Sequence, residues 1–231
     1  MFSSENINRW TRNLTDDQVI AKPVRKIKKR TSTQPKKRDE TDIWRARSRD
    51  KLLWTFYVIC NGRGEFDKQR DRMFKMETDF KYGSVERVRA NLTALKAAKV
   101  KVQELEAEIV SAKTMSLETM RALSIAYKKS IIFKHDCVYH DMPYGDEYFL
   151  IEKNGDDVAL HLGDVSEKVS NIKQECFYVD PFKKIKGISA YTVKDLREIA
   201  GKLSISLTTD DKPLNKQQLY ANIITKITKL T

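Results

Sequence analysis

Apolar positions change their spacing several times along the chain. Trp44, Leu52, Leu53, Phe56, Tyr57, Ile59 and Cys60 follow a helical stripe, and Asn61-Gly62-Arg63-Gly64 stops it with turn residues. A second helix is predicted over about 67–81, with Met73, Phe74, Met76 and Phe80 on its apolar side; Gly83 and Ser84 are expected to kink or recap the chain. Val85, Val88, Leu92, Leu95, Val102 and Ile109 then recur at spacings of three, four and seven, and no Pro or Gly interrupts 84–113. That pattern predicts one helix of about 45 Å at roughly 1.5 Å per residue. Its stripe needs a partner. The preceding helix folded back as a hairpin is the first choice, and a second copy of the chain in a short coiled coil is the other. Lys99 falls where the repeat asks for a hydrophobe. Ser116 is a fair N-cap for a further helix to about Lys128.

From Ile131 the texture becomes β. Ile131-Ile132-Phe133, Val138-Tyr139, Tyr148–Ile151 and Val158–Leu160 are short runs separated by Pro143–Asp146 and Asn154–Asp157. Asn154-Gly155 is the strongest hairpin signal in the chain. A small antiparallel meander of three strands is expected, leaning on the helices for cover. Residues 166–178 suggest one more helix, and Asp180-Pro181-Phe182 a linker. In the last stretch Thr192 is an N-cap with Asp195 at N3, and Val193, Leu196, Ile199, Ala200 and Leu203 make a stripe. Thr208–Pro213 reads as a loop. Asn215 and Gln218 then have capping-box spacing ahead of Leu219, Ile223 and Ile227. The expected fold is α+β and mainly helical: a long helical hairpin, a small β-meander and a C-terminal two-helix module. The expected division is a tail at 1–42, a domain at 43–180 and the helix pair at 187–231.

Charge changes this picture most at the ends. The 231 residues carry a net +12, with 40% hydrophobic and 33% charged residues. Residues 1–51 hold 15 Lys/Arg against 7 Asp/Glu, residues 52–186 hold 22 against 21, and residues 187–231 hold 7 against 4. The densest cations are Arg25, Lys26, Lys28, Lys29 and Arg30, then Lys36, Lys37 and Arg38. A block that repels itself and buries little resists folding, so 1–42 is expected to be mostly disordered. Neutralising phosphates with counterion release is its first expected use. Recognition by an import receptor, acidic protein partners and plain solubility are the others. No run of 18 apolar residues and no apolar leader segment occur, so neither a membrane partner nor secretion is expected. Three scattered cysteines suit a reducing compartment.

Candidate chemistry is sparse. His135, Cys137 and His140 fall within six residues, with His161 and Cys176 following. Imidazole and thiolate suit zinc, but no paired knuckle spacing exists, and a strand would put His140 on the face opposite His135 and Cys137. Ordinary β packing is the expected reading, with no metal and no cofactor. No phosphate-binding glycine loop, HExxH or GxSxG motif is present, so no catalytic residue is named.

The C-terminal pair resembles the SAP and Rho N-terminal helix-extension-helix modules. The resemblance rests on Tyr191–Ala200, Leu203-Ser204-Ile205, Leu214–Tyr220 and Ile223, about 40 residues in all. Such modules bind DNA or RNA through the N-terminus of the second helix and the basic turn before it. The resemblance thereby implies Lys212, Asn215 and Lys216, with Lys194 and Lys202 nearby. Ser204 stands where glycine is usual, and the connection is longer and carries Asp210 and Asp211. The whole layout also resembles an uncharacterised family of nucleocytoplasmic large DNA viruses, on the lead Lys184–Tyr191 into this module. That resemblance implies a viral protein without established enzymatic activity, in the virion or in the nucleus or viral factory of an infected cell. The expected function is non-enzymatic nucleic-acid binding, DNA before RNA. The alternative is a structural or adaptor virion protein that binds other viral structural proteins. A metal-dependent enzyme built on the histidines comes third.

Overall fold

The computed structural model describes residues 43–180, 183, 185–209 and 212–230. The tail predicted at 1–42 lies outside the described residues. The described residues belong to one compact unit.

Eight strands and nine α-helices occur among them. β1 (Ile43–Arg45) leads into α1 (Lys51–Asn61), α2 (Arg63–Lys68), a 3-10 turn at Arg70–Arg72 and α3 (Met73–Ala90). α4 (Leu92–Ala97), α5 (Val102–Ser111) and α6 (Leu117–Tyr127) complete a helical layer. β2 (Ser130–His135), β3 (Val138–Met142), β4 (Tyr148–Asn154) and β5 (Asp157–His161) follow, then α7 (Ser166–Glu175) and β6 (Phe177–Tyr178). The chain ends with α8 (Val193–Lys202), β7 (Thr208–Thr209), β8 (Lys212–Pro213) and α9 (Lys216–Leu230).

The predicted three-strand meander is instead a six-stranded mixed sheet in the order β1-β5-β4-β2-β3-β6. β2 and β3 form a hairpin in which His135 faces Val138, and β4 and β5 another in which Asn154 faces Asp157. β2 lies between β3 and β4 and runs parallel to β4. The two outer strands add one pairing each: β1 antiparallel to β5, β6 parallel to β3. Alternation sorts the two faces. Ile131, Phe133, Ile151, Val158 and Leu160 join the helical layer, whereas Ile132, Tyr139 and Leu150 pack under Val165, Val169 and Ile172 at α7.

α1 is the central helix. Every residue from Leu53 to Ile59 is buried, as befits a helix that is apolar all round. Trp44, placed by its spacing on the helical stripe, sits in β1, and Trp54 is 2% exposed although it lies off that stripe. Phe66 of α2 is an aromatic hub, with ring centroids 5.2 Å from Trp44 and 5.5 Å from Trp54.

The predicted 84–113 helix is three pieces. α3 passes through Gly83 and Ser84 without a break and stops at Asn91, whose side-chain amide donates to the carbonyls of Arg87 and Ala126. α4 stops at Lys99, which has φ 59°. The Val100 amide donates to Leu95 O (3.0 Å) and the Lys99 amide to Lys96 O (2.9 Å), a Schellman closure with Leu95 and Val100 buried together. Lys99 thus marks the chain reversal, so the stripe of α3 packs against α5 and α6 and not against a helix over 67–81. Phe74, assigned to an apolar side, is 86% exposed.

Candidate nucleic-acid interface

The helix pair is built by its caps. Thr192 Oγ1 accepts from the Asp195 amide (3.2 Å) and Asp195 Oδ2 from the Thr192 amide (2.8 Å). Asn215 and Gln218 repeat the exchange at the start of α9, at 2.9 and 3.0 Å. α8 ends at Ser204 in the left-handed region (φ 53°), with the Ile205 amide on Ala200 O. The loop expected over Thr208–Pro213 contains the short β7–β8 pairing. Leu196, Ala200, Leu203, Leu219, Ile223 and Ile227 are buried, whereas Val193, assigned to the stripe, is 38% exposed.

The apolar stripes of α8 and α9 close over the β3–β6 edge, sharing a cluster with Val138 and Val179. This docking accounts for most of the His/Cys group. His135 Nδ1 meets Leu230 O at 2.6 Å, the Cys137 thiol points to Leu203 O, and Lys226 Nζ pairs with Asp136 at 2.9 Å across the β2–β3 turn. His140 Nδ1 donates to Val179 O (2.7 Å), which leaves Nε2 a buried acceptor without a partner among the described residues. Burial pushes the His140 pKa down. His161 belongs to another network, on the α7 face: Lys168 Nζ donates to its Nδ1 (2.7 Å) and its Nε2 donates to Glu152 (2.8 Å). Lys134 reaches the other Glu152 oxygen at 3.0 Å, and these hydrogen bonds hold the Glu152 carboxyl at about 2. The histidines and Cys137 therefore point to separate partners, and no metal-holding group of three occurs among the described residues.

Of the residues implied by the resemblance, Lys194 is exposed in the first turn of α8 and Lys216 half-buried in the first turn of α9. Both ammonium groups lie near enough to Asp195 to help depress its pKa, behind the larger effect of the Thr192 hydrogen bonds. Lys212 and Asn215 are exposed on the run from β8 into α9. Lys202 stands eight residues from Lys194 along α8, about 12 Å at the usual rise, and is not brought to the same end. The structure thus gathers Lys194 and Lys216 and leaves Lys202 apart. The eight cations at Arg25–Arg38 lie outside the described residues.

A second basic surface escaped the sequence reading. β1, the segment after it, α2 and the 3-10 turn enclose a groove of about 600 Å³ whose wall carries Arg45, Arg47, Arg63 and Arg70. Asp157 pairs with Arg45 at 2.9 Å and Asp67 with Arg63 at 3.3 Å. The side chains of Arg47 and Arg70 make no ion pair or hydrogen bond among the described residues. Trp44 and Phe66 form the apolar floor. The available signal was the alternation Trp44-Arg45-Ala46-Arg47, buried and exposed in turn, which puts both guanidiniums on one side of an extended segment.

No family model, curated protein or solved structure matches the chain.

Proposed function

We propose that this protein is a non-enzymatic nucleic-acid-binding protein. Its cationic segment at 25–38 supplies salt-sensitive affinity, and its folded part supplies orientation. The observation that carries the reading is the groove bearing Arg45, Arg47, Arg63 and Arg70, which opens beside β1, the strand that follows that segment in sequence. Guanidinium forks suit phosphate oxygens bidentately. A polyanion is the occupant whose charge complements such a groove. The Lys194–Lys216 end of the helix pair is a further phosphate contact in this reading. Its reciprocal caps occupy two amides at each helix start, so the lysines and the Asn215 side chain carry the contact and not the bare helix termini.

The test is a binding titration against salt with the whole chain and with a chain lacking 1–38. Affinity that falls steeply with salt, and less steeply after deletion, is expected. A flat dependence refutes the electrostatic account. Lys212→Glu with Lys216→Glu weakens what the shortened chain retains.

One observation favours the alternative of a structural or adaptor protein bound to other proteins or to a second copy. Tyr82 (59% exposed) and Val110 (46%) lie on α3 and α5 along a shared groove of about 650 Å³. Complexes that survive nuclease treatment and are lost in Tyr82→Asp support that reading.

A further inference from the structure

We infer that Phe74 and the arginine groove beside it seat a single strand of nucleic acid, with phosphates along the arginines and one unstacked base on the Phe74 ring. The inference rests on the nucleic-acid reading above and narrows it.

Phe74 is the most exposed large hydrophobic residue described, at 86%. It is next in the chain to Met73 and four residues after Arg70, both of which line the groove. Arg72 and Lys75 flank it, both exposed. An aromatic ring standing in water between cations has no packing role in the fold: Met76 and Phe80 of the same helix are buried, and Phe74 makes no ring contact among the described residues. It does match a base-stacking platform beside a phosphate track.

The groove has a fixed half and an available half. Arg45 and Arg63 are braced by Asp157 and Asp67, over a floor held by the Trp44–Phe66 edge contact. Arg47 and Arg70 have their donors unspent and can take phosphate oxygens. A volume of about 600 Å³ holds a nucleotide-sized ligand. A duplex keeps its base faces inside the stack, so only an unpaired strand can offer one to Phe74. An acidic polypeptide could engage the arginines but has no planar base to place on the ring.

Fluorescence anisotropy with the whole chain tests this, using labelled dT20 and a labelled 20-base-pair duplex at one salt concentration, with polyglutamate as competitor. Phe74→Ala is expected to weaken dT20 roughly tenfold and to leave the duplex unchanged, with Phe74→Trp restoring dT20. Arg47→Ala with Arg70→Ala should weaken both, and should weaken them less when the same titration is repeated at higher salt. Equal loss on dT20 and duplex in Phe74→Ala, or no loss on either, overturns the single-strand inference while nucleic-acid binding stands. Displacement of dT20 by polyglutamate as readily as by unlabelled dT20 overturns it in favour of an acidic polypeptide. Failure of the whole chain to bind either probe overturns the functional reading itself.

Discussion

Three helices end on a residue other than glycine in the left-handed region: Lys99 after α4, Lys128 after α6 and Ser204 after α8. Each closes a Schellman pair of hydrogen bonds. Their backbone conformation carries a Cβ penalty that glycine lacks. Ser204→Gly should therefore stabilise the protein by about 1 kcal/mol, or roughly 2–4 °C in melting temperature for a body of this size; a lowered melting point would refute that account. Gly145 is the opposite case. A Cβ there would stand 2.1 Å from the Lys128 carbonyl oxygen, while its amide and carbonyl both bond Ser130 Oγ. Gly145→Ala must push backbone apart and should cost more than about 2 kcal/mol in a denaturant melt. Glu152 gives a pH signature. Its carboxyl is held at about 2 in the fold, against an ordinary value of 4.5. A depressed folded-state pKa contributes stability that is present above the unfolded value and is lost as pH falls through the folded one. The deficit of Glu152→Gln relative to the natural chain should thus be largest at neutral pH, roughly 2–3 kcal/mol, and shrink between pH 4.5 and 2. A deficit that stays constant with pH would show that Glu152 acts through shape alone.

Among the elements, those with local causes were legible in advance. Ser116 accepts from the Thr119 amide at the start of α6, the Thr192–Asp195 and Asn215–Gln218 boxes close, and Asn154-Gly155 sits at a hairpin. Each depends on residues within a turn of one another. What depended on distant partners was not legible. Three residues of β1 become a strand because β5 offers an edge, and β2 lies between β3 and β4 because it pairs with both. The stop at Lys99 was visible only as a missing hydrophobe in a repeat. The same divide runs through the site. The lysines of the helix pair could be read as charges, yet only folding shows that Lys194 and Lys216 both act on Asp195. The arginine groove joins positions 45–70 with Asp157, between 87 and 112 residues further along the chain. Asp50 shows how such long links hold elements together: its carboxylate accepts from Leu53 N (3.0 Å) to cap α1 and from Met115 N (2.9 Å) ahead of α6. Burial pushes its pKa up. Asp50→Ala removes the cap and strands a buried amide, so a loss of about 2–4 kcal/mol is expected in chemical unfolding. A loss below about 0.5 kcal/mol would mean that water replaces the carboxylate.

At the scale of the whole molecule, the charge is divided between a folded body and an N-terminal segment that alone holds eight cations between Arg25 and Arg38. If each meets a phosphate on a single strand, these eight contribute about 6 to the slope of log affinity against log salt, and deleting 1–38 should remove that contribution. A change below about 1 would move the electrostatic contribution to the folded body. Within that body the C-terminal helices are fastened to the sheet by an apolar cluster through Val138 and Val179, and by Lys226 and Leu230 at the β2–β3 turn. An excised 187–231 peptide would leave that cluster half open to water and invite self-association. Probing the helix pair is therefore better done by point changes in the intact chain than by cutting it loose.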